Sequence, residues 1–228
     1  MTVPDIIIAV DGYSSTGKSS LAKQIARSLG FTYLDSGALY RGVTLFAPRE
    51  GYISPDNTVS DSLQAALDSL QLFFGEGNHC FMGGEDVEEQ IRSMSVSSQV
   101  SPIAAVPYVR EWVDCRLHSL SSSGRVVMDG RDIGTTVFPN AEVKIFMAAS
   151  DSVRAQRLYE ELVSKGQKAD LAEVLENLRQ RDWIDSHRET SPLRRAEDAF
   201  VLDNSERTME EELCWVRGLL QGKFGILE

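Results

Sequence analysis

The sequence contains little cysteine and no cysteine spacing of a known functional kind. Cys80, Cys115 and Cys214 are far apart, and no CxxC or Cys/His spacing typical of a metal site occurs among the 228 residues. Scattered cysteines in odd number do not form a disulfide framework. We therefore expect free thiols, and neither a structural zinc site nor a disulfide-stabilised scaffold.

Long hydrophobic runs are also missing. The first apolar run, residues 6–10, is far shorter than the ~20 residues that span a bilayer, and no basic segment precedes it. Such a run lacks the features of a signal peptide. We expect a cytoplasmic protein that does not enter a membrane.

Positive charge is scarce, which limits the classes of partner. Lys and Arg total 23 against 34 Asp and Glu, giving a net charge of −11. This balance argues against a general affinity for nucleic acid or for anionic membranes. Any local cluster of basic residues is therefore more informative than it would be in a basic protein.

What the sequence does contain is an alternation of short apolar runs with periodic, charged segments. The chain length suits one α/β core with a small insert. Alternation of this kind predicts a parallel sheet flanked by helices, with ligands bound at the carboxyl ends of the strands. The five apolar runs cover residues 6–10, 31–34, 126–128, 143–147 and 200–202, with Asp11, Asp35, Asp129 and Asp203 among the residues that follow them.

One segment breaks this alternation. In LQLFFGEGNHCFMGGEDV, two apolar runs flank a Gly-rich turn, a pattern typical of a β-hairpin. We interpret residues 52–95 as a small antiparallel insert. Pro107 suits the first turn of a helix with Val109, Val113 and Leu117 inward, and further helices are predicted near residues 152–164, 171–188 and 209–220.

The opening loop matches G-x-x-x-x-G-K-[ST], with an apolar run before it and a helical pattern after it. Backbone N–H groups of such a loop bind phosphate oxygens at the positive end of the following helix. Lys18 is predicted to reach the β- and γ-phosphates of ATP, and the Ser19 hydroxyl to bind Mg²⁺. The predicted ATP-binding residues are Gly12, Tyr13, Ser14, Ser15, Thr16, Gly17, Lys18, Ser19 and Ser20.

A phosphate-binding loop alone suits a GTPase switch, a motor or a small-molecule kinase. The sequence has no Asn-Lys-x-Asp element for reading guanine, and motors are usually longer. A small-molecule kinase is the hypothesis that remains, and a non-catalytic nucleotide-binding switch stays open as an alternative.

A second cluster of charge lies on a predicted helix near the C-terminus. Spacings of three and four place six residues on one stripe, whose apolar first half is expected to pack on the body. A solvated helix end would look similar, but Arg154, Arg157 and the DGRD at 129–132 also supply arginine, of which the chain has 17. Arginine suits bidentate contacts to phosphate. If the group that accepts a transferred phosphoryl is itself an anionic phosphate, the enzyme does not need a strong general base. The stripe consists of Leu171, Val174, Leu178, Arg181, Asp185 and Arg188.

Five sequence blocks in order carry a resemblance through nearly the whole chain. They are DSGALYR, GEDVEEQIR, SQVSPIAAVPYVRE, DGRDIGTTVFPNAEVKIFMAAS and RQRDWIDSHRETSPL. With the loop, they resemble the bacterial cytidylate kinases of the nucleoside monophosphate kinase superfamily. The resemblance implies transfer of the γ-phosphoryl group of MgATP to CMP or dCMP, and suggests a monomer. A kinase of the same superfamily that acts on another nucleoside monophosphate stays open as an alternative.

The resemblance also implies a P-loop kinase fold of class α/β, with a five-stranded parallel sheet, an acceptor-binding insert and a helical lid. The core would comprise residues 1–51 and 96–228, with the lid at about 152–188, and the insert residues 52–95. Two departures stand out. The loop reads GYSSTGKS where the family more often has Pro and Gly-Ala, and Leu158 stands where many members carry a basic residue.

Roles follow by position from the same resemblance. Lid arginines Arg154 and Arg157 would act on the transferring phosphates together with Lys18. Arg41, Arg131 and Arg188 would bind the α-phosphate of the acceptor. The remaining acceptor-binding positions are Arg181 and Asp185 for the ribose, Ser36 and Tyr40 for the pocket wall, and Ser101, Arg110 and Asp132 for cytosine.

The assignment of Asp132 and Arg110 also has a chemical reason. Cytosine offers an amino donor and two acceptors, so a carboxylate and an arginine complement it. Uracil would place acceptor against acceptor and donor against donor. We therefore expect CMP to be preferred over UMP by ~10²–10⁴-fold.

Overall fold

The computed structural model describes residues 3–53 and 59–225 and confirms the α/β class. The predicted helices and strands are present, most with ends one to a few residues from those expected. In chain order the elements are β1 (Ile7–Gly12), α1 (Lys18–Leu29), β2 (Thr32–Asp35), α2 (Ser36–Arg49), α3 (Ser62–Leu67), β3 (Leu72–Phe74), β4 (Cys80–Met82), β5 (Glu85–Asp86), α4 (Glu88–Ile91), α5 (Met94–Ser97), α6 (Val100–Ala104), α7 (Pro107–Leu120), β6 (Val126–Gly130), β7 (Val143–Ala148), α8 (Asp151–Ser164), α9 (Leu171–His187), β8 (Phe200–Asp203) and α10 (Met209–Phe224).

The chain divides into two compact units. The first unit is formed by Met1–Leu34 and Ser121–Glu228, and the second unit by Asp35–Leu120. The insert predicted at residues 52–95 falls within the sequence range of the second unit, and its residues 54–58 lie outside the described residues. The division into a core at 1–51 and 96–228 and an acceptor-binding insert stays a prediction.

The five-stranded sheet has the order β2-β6-β1-β7-β8. β1 runs parallel to β6 on one side and to β7 on the other, and β7 runs parallel to β8. The central strands are buried on both faces, which explains why their sequences are continuously apolar. The parallel arrangement brings Asp11, Asp129 and Asp203, at or near the carboxyl ends of three strands, to the same edge of the sheet.

Helix α1 begins directly after the phosphate-binding loop and packs on this sheet. Its buried residues, which include Leu21 and Ile25, join the strand side chains in one hydrophobic core. α10 begins at a capping box in which Thr208 and Glu211 satisfy each other's backbone N–H groups. No helix in the described part of the chain combines the length and apolar character that crossing a bilayer requires.

Helices α8 and α9 pack against each other and occupy the predicted lid segment. Their shared hydrophobic cluster contains Leu162, Val174 and Leu178, with Leu158 packed against it. The prediction that Leu171 packs on the body was wrong, because its side chain is 42% exposed. Leu171 is the first residue of α9 and lies at the end of the helix pair, so apolar neighbours do not enclose it.

The second unit contains the predicted hairpin. β3 and β4 are antiparallel, and β5 adds a third strand next to β4. Gly77 in the turn has a φ of 68°, which glycine adopts without strain. α7 begins at Pro107 and buries Val109, Val113 and Leu117, as predicted.

Candidate active site

The phosphate-binding loop connects β1 to α1 in the first unit. Gly12 has a φ of 150°, and a Cβ atom there would lie 2.3 Å from the carbonyl oxygen of Met147, so only glycine fits. Ser15 also has a positive φ, of 57°, a conformation that a side chain normally disfavours. This is the part of the loop where the sequence departs from the family pattern.

Lys18 is buried at the first turn of α1. Its Nζ donates to the carbonyl oxygen of Tyr13 at 2.6 Å. Burial, followed by the positive charge of Arg131, lowers the pKa of Lys18 to about 7. A bound polyphosphate would favour the charged ammonium, as expected for a lysine that binds phosphate.

Ser19 and Asp129 form an oxygen-rich pair beside this lysine. The Ser19 hydroxyl donates to Oδ2 of Asp129 at 2.8 Å, and the Tyr33 hydroxyl donates to Oδ1 at 2.7 Å. Hydroxyl and carboxylate oxygens are the ligands that Mg²⁺ prefers beside substrate phosphates. The donor set therefore fits Mg²⁺. Among the described residues no cluster of three or more His, Cys, Asp or Glu side chains that could hold a metal ion occurs.

Arg131 connects the loop to α9. Its Nη2 donates to the Ser14 hydroxyl at 2.9 Å, and its Nε donates to Oδ2 of Asp185 at 2.9 Å. Burial opposes the charge, but Asp185 and the nearby Asp182 outweigh it and raise the pKa of Arg131. One guanidinium thus joins the predicted donor site to the predicted acceptor site.

Arg188 follows the last residue of α9 and is almost fully buried. Its Nη2 lies 3.2 Å from Oδ1 of Asp132, and its Nε donates to the carbonyl oxygen of Ser191 at 2.8 Å. Burial would raise the pKa of Asp185, but Arg131 and Arg188 together lower it. The predicted stripe is therefore a buried ionic network in its second half and not a solvated helix end.

The two predicted lid arginines donate hydrogen bonds to protein groups. Arg154 is buried and donates to Asp182 at 2.5 Å, to Asp151 at 2.6 Å and to the carbonyl oxygen of Ser14 at 3.1 Å. Arg157 lies on the same helix, but it contacts Asn204, which follows β8.

Asn204 lies directly after β8. Arg157 donates to its Oδ1 at 3.2 Å and to its backbone oxygen at 2.8 Å. The Asn204 amide in turn donates to the loop carbonyl of Thr16 at 2.8 Å and to Glu212 at 2.9 Å. Asn204 therefore links the loop, a predicted lid arginine and α10.

Asp11 is a further buried carboxylate, at the end of β1. Its two oxygens accept from the backbone N–H groups of Ile133 and Gly134 at 2.8 and 2.7 Å. Burial is the largest influence and raises the pKa of Asp11 to about 7. These bonds fix the segment that follows Arg131 and Asp132.

In the second unit, Asp35 caps α2 through the Ala38 N–H at 2.9 Å. Its Oδ2 also accepts from Arg41 and from Arg92, each at 2.9 Å. Burial of Asp35 would raise its pKa, but these arginines lower it. Arg41 is thereby oriented at the start of α2.

The other predicted residues of the second unit are Ser36, Tyr40, Ser101 and Arg110, all buried. The Arg110 guanidinium lies over the Tyr40 ring at 5.2 Å and donates to the carbonyl oxygen of Ala104 at 3.0 Å. Buried arginine beside a ring suits recognition of a planar base. Their roles toward a nucleotide stay predictions.

Sequence reasoning named no role for five residues that the structure places among the predicted ones. All five had a signal, since each follows an apolar run or lies in a quoted block. Asp182 follows Leu178 by four positions and so shares a helix face with a buried residue. Ser20, predicted at the loop, is exposed. The five residues are Asp11, Arg92, Asp129, Asp182 and Asn204.

A phosphate-binding loop at the end of a parallel strand, with a buried arginine network beside it, defines a P-loop phosphotransferase. The family model described as cytidylate kinase matches residues 8–216. The chain belongs to the cytidylate kinase family, and it is an enzyme.

Individual relatives agree with this family. A cytidylate kinase of Bacteroides thetaiotaomicron is 46% identical over 216 residues, covering 92% of this chain and 94% of the relative. One from Bacteroides fragilis is 47% identical over 217 residues, with the same coverage of 92% and 94%. The crystal structure of an uncharacterised protein from Eubacterium ventriosum matches with a TM-score of 0.51 at 11% identity, covering 96% of this chain and 99% of that one. At that identity the likeness shows the fold alone.

Proposed function

We propose that this enzyme transfers the γ-phosphoryl group of MgATP to CMP or dCMP, forming ADP and CDP or dCDP. Family membership supports the reaction. The single observation that carries it is Arg131, whose guanidinium contacts both Ser14 of the loop and Asp185 of α9. A donor site alone would suit a switch, whereas a linked second anion-binding site suits group transfer.

On the donor side, the loop N–H groups and Lys18 would bind the ATP phosphates. Ser19 and Asp129 are the residues that would bind Mg²⁺, directly or through water. When bound, the ion would neutralise developing charge on the β- and γ-phosphate oxygens. The Lys18 ammonium would reinforce this effect because burial shields it from water.

On the acceptor side, several arginines would bind the α-phosphate of CMP, and this assignment rests on the family. Arg131 and Arg188 belong to the first unit and Arg41 to the second. Arg181 and Asp185 would contact the ribose beside Ser36 and Tyr40, and Ser101, Arg110 and Asp132 would read cytosine. Because the attacking group is already an anionic phosphate, charge stabilisation and alignment are the main requirements.

The lid arginines would act only after substrates bind. In the structure, carboxylates accept from Arg154, and Asn204 accepts from Arg157. ATP phosphates offer a denser negative charge, so these guanidinium groups would move to the transferring group as the lid closes. Closure would exclude water and so favour transfer to CMP over hydrolysis.

The proposal extends to the state of the enzyme. The superfamily resemblance supports a cytoplasmic monomer, and the net charge of −11 supports small-molecule partners in place of nucleic acid or anionic membrane surfaces. Light scattering coupled to size-exclusion chromatography tests the monomer directly. A dimer mass at enzymatic concentrations would contradict it.

The test of function is a coupled ADP-release assay with MgATP and CMP, dCMP, UMP, AMP or GMP, beside a control without acceptor. We expect release with CMP and dCMP only, and none with the Lys18→Met variant. ADP release that is independent of the acceptor would mean hydrolysis and would contradict transfer. Comparable rates with another monophosphate would reassign the acceptor.

A further inference from the structure

The two oxygens of the Asp129 carboxylate accept hydrogen bonds from two different hydroxyls. Ser19 in the first turn of α1 donates to Oδ2 at 2.8 Å, and Tyr33 on β2 donates to Oδ1 at 2.7 Å. Asp129 and Tyr33 are buried. Tyr33 therefore contacts the proposed Mg²⁺-binding carboxylate through the oxygen that Ser19 does not use.

Packing alone does not require a hydroxyl at this position. The Tyr33 ring is part of the hydrophobic core that includes Leu21, Ile25 and Phe31, and phenylalanine would fill the same volume. The Lys23 ammonium lies 5.4 Å from the ring centre, a contact that phenylalanine also allows. What tyrosine adds is a donor aimed at the buried carboxylate.

A serine hydroxyl that binds a cation must direct its lone pairs at the ion and its proton elsewhere. Asp129 accepts that proton. The terminal torsion of an aspartate is broad, however, so the carboxylate needs a second contact to keep one orientation. The Tyr33 hydroxyl supplies this contact.

We propose that Tyr33 is a positioning residue for Mg²⁺, which orients Asp129 and, through it, the Ser19 hydroxyl. This inference rests on the proposed function, because it assumes a divalent cation beside Ser19. Tyr33 contacts neither nucleotide nor metal in this role. Outer contacts of this kind typically change metal affinity by ~10–100-fold.

The test is equilibrium binding of ADP by calorimetry, with Mg²⁺ and separately with EDTA, for the unchanged protein and for Tyr33→Phe. The informative quantity is the ratio of the two dissociation constants, which measures the coupling between cation and nucleotide. We expect Tyr33→Phe to reduce that coupling by about 10-fold. ADP affinity in EDTA should stay close to that of the unchanged protein.

Tyr108→Phe is the matched control. Its hydroxyl donates to the Ser60 carbonyl oxygen at 3.5 Å in the second unit, so the same atom is removed at a position without an assigned role. We expect no change in the coupling. A second arm adds Tyr33→Phe to Asp129→Asn, where removing the tyrosine hydroxyl should have no further effect on the coupling.

The outcomes separate the inference from the function on which it rests. If Mg²⁺ does not strengthen ADP binding to the unchanged protein, the cation site is wrong and the inference is overturned with it. If Mg²⁺ strengthens ADP binding and Tyr33→Phe keeps the full coupling between cation and nucleotide, Tyr33 has only a packing role and the positioning role is overturned. Equal weakening with and without Mg²⁺, or a full additional loss in the Asp129→Asn background, would also overturn the positioning role.

Discussion

The Asp182 carboxylate on α9 lies between the Arg154 guanidinium and the backbone N–H of Ser14, at 2.5 and 3.2 Å. Arg154 also donates to the Ser14 carbonyl oxygen at 3.1 Å. The loop, α8 and α9 are therefore joined at one buried point. A phosphate that approaches the Ser14 N–H meets a carboxylate already bonded to it.

This relationship predicts a large difference between two aspartates that bind the same arginine. Asp182→Ala should lower the free energy of unfolding by ~3 kcal/mol, because it removes the carboxylate that compensates the buried positive charge of Arg154. Asp151→Ala should cost under ~1 kcal/mol, since exposed pairs contribute little. The exposed fractions are 11% for Asp182 and 49% for Asp151. Urea unfolding measures both, and equal losses would contradict this account.

Arg131 is expected to be far more sensitive than an arginine elsewhere in the first unit. Arg131→Lys removes the planar fork that contacts Ser14 and Asp185 together, and kcat should fall by ~10²–10³-fold. Arg125→Lys is the control, because Arg125 pairs with Asp5 at an exposed site, at 2.9 Å. The coupled assay with saturating CMP measures both variants. Similar activity of the two would remove Arg131 from the reaction.

Base selection should depend on the charge of Asp132. Asp132→Asn has nearly the same shape but offers an N–H donor that uracil O4 accepts. We expect the kcat/KM ratio of UMP to CMP to rise by ~10–100-fold, mainly through loss of CMP activity. Loss of both activities in equal proportion would show that Asp132 serves only its contact with Arg188.

Stability should show a pH dependence that originates at Asp11. Burial raises its pKa from 3.8 to about 7, so the folded protein binds this proton more tightly than the unfolded chain. The stabilisation is then complete below the ordinary pKa and is lost as pH rises through the folded-state value. Against Asp11→Asn, which does not titrate, the unchanged protein should lose stability between about pH 4 and about pH 7. A difference in unfolding free energy that stays constant with pH would contradict the raised pKa.

Local patterns predicted much of the fold. The five apolar runs correspond to the five strands of the sheet. The three central strands are buried on both faces and are therefore continuously apolar, whereas Phe200 and Val201 of the edge strand β8 are exposed. Pro107 marked the start of α7, and its helical spacing identified the buried Val109, Val113 and Leu117. The wrong prediction for Leu171 shows the limit of this method. Periodicity identifies the face of a helix that is buried, but it does not show how far along the helix the neighbouring element extends.

The sequence by itself determined the phosphate-binding loop, the order of strands and helices along the chain, and the positions from which charged groups could reach a nucleotide. Only the tertiary structure decided which group each carboxylate binds. Asp182 binds Arg154, Asp185 binds Arg131, and Asp129 accepts from the hydroxyls of Ser19 and Tyr33. The loop pattern is local, because the backbone of a few consecutive residues performs its function. The partners of a buried charge are not local, because burial requires compensation by whichever groups the packed chain brings within bonding distance, here from 28 to 110 residues away in sequence.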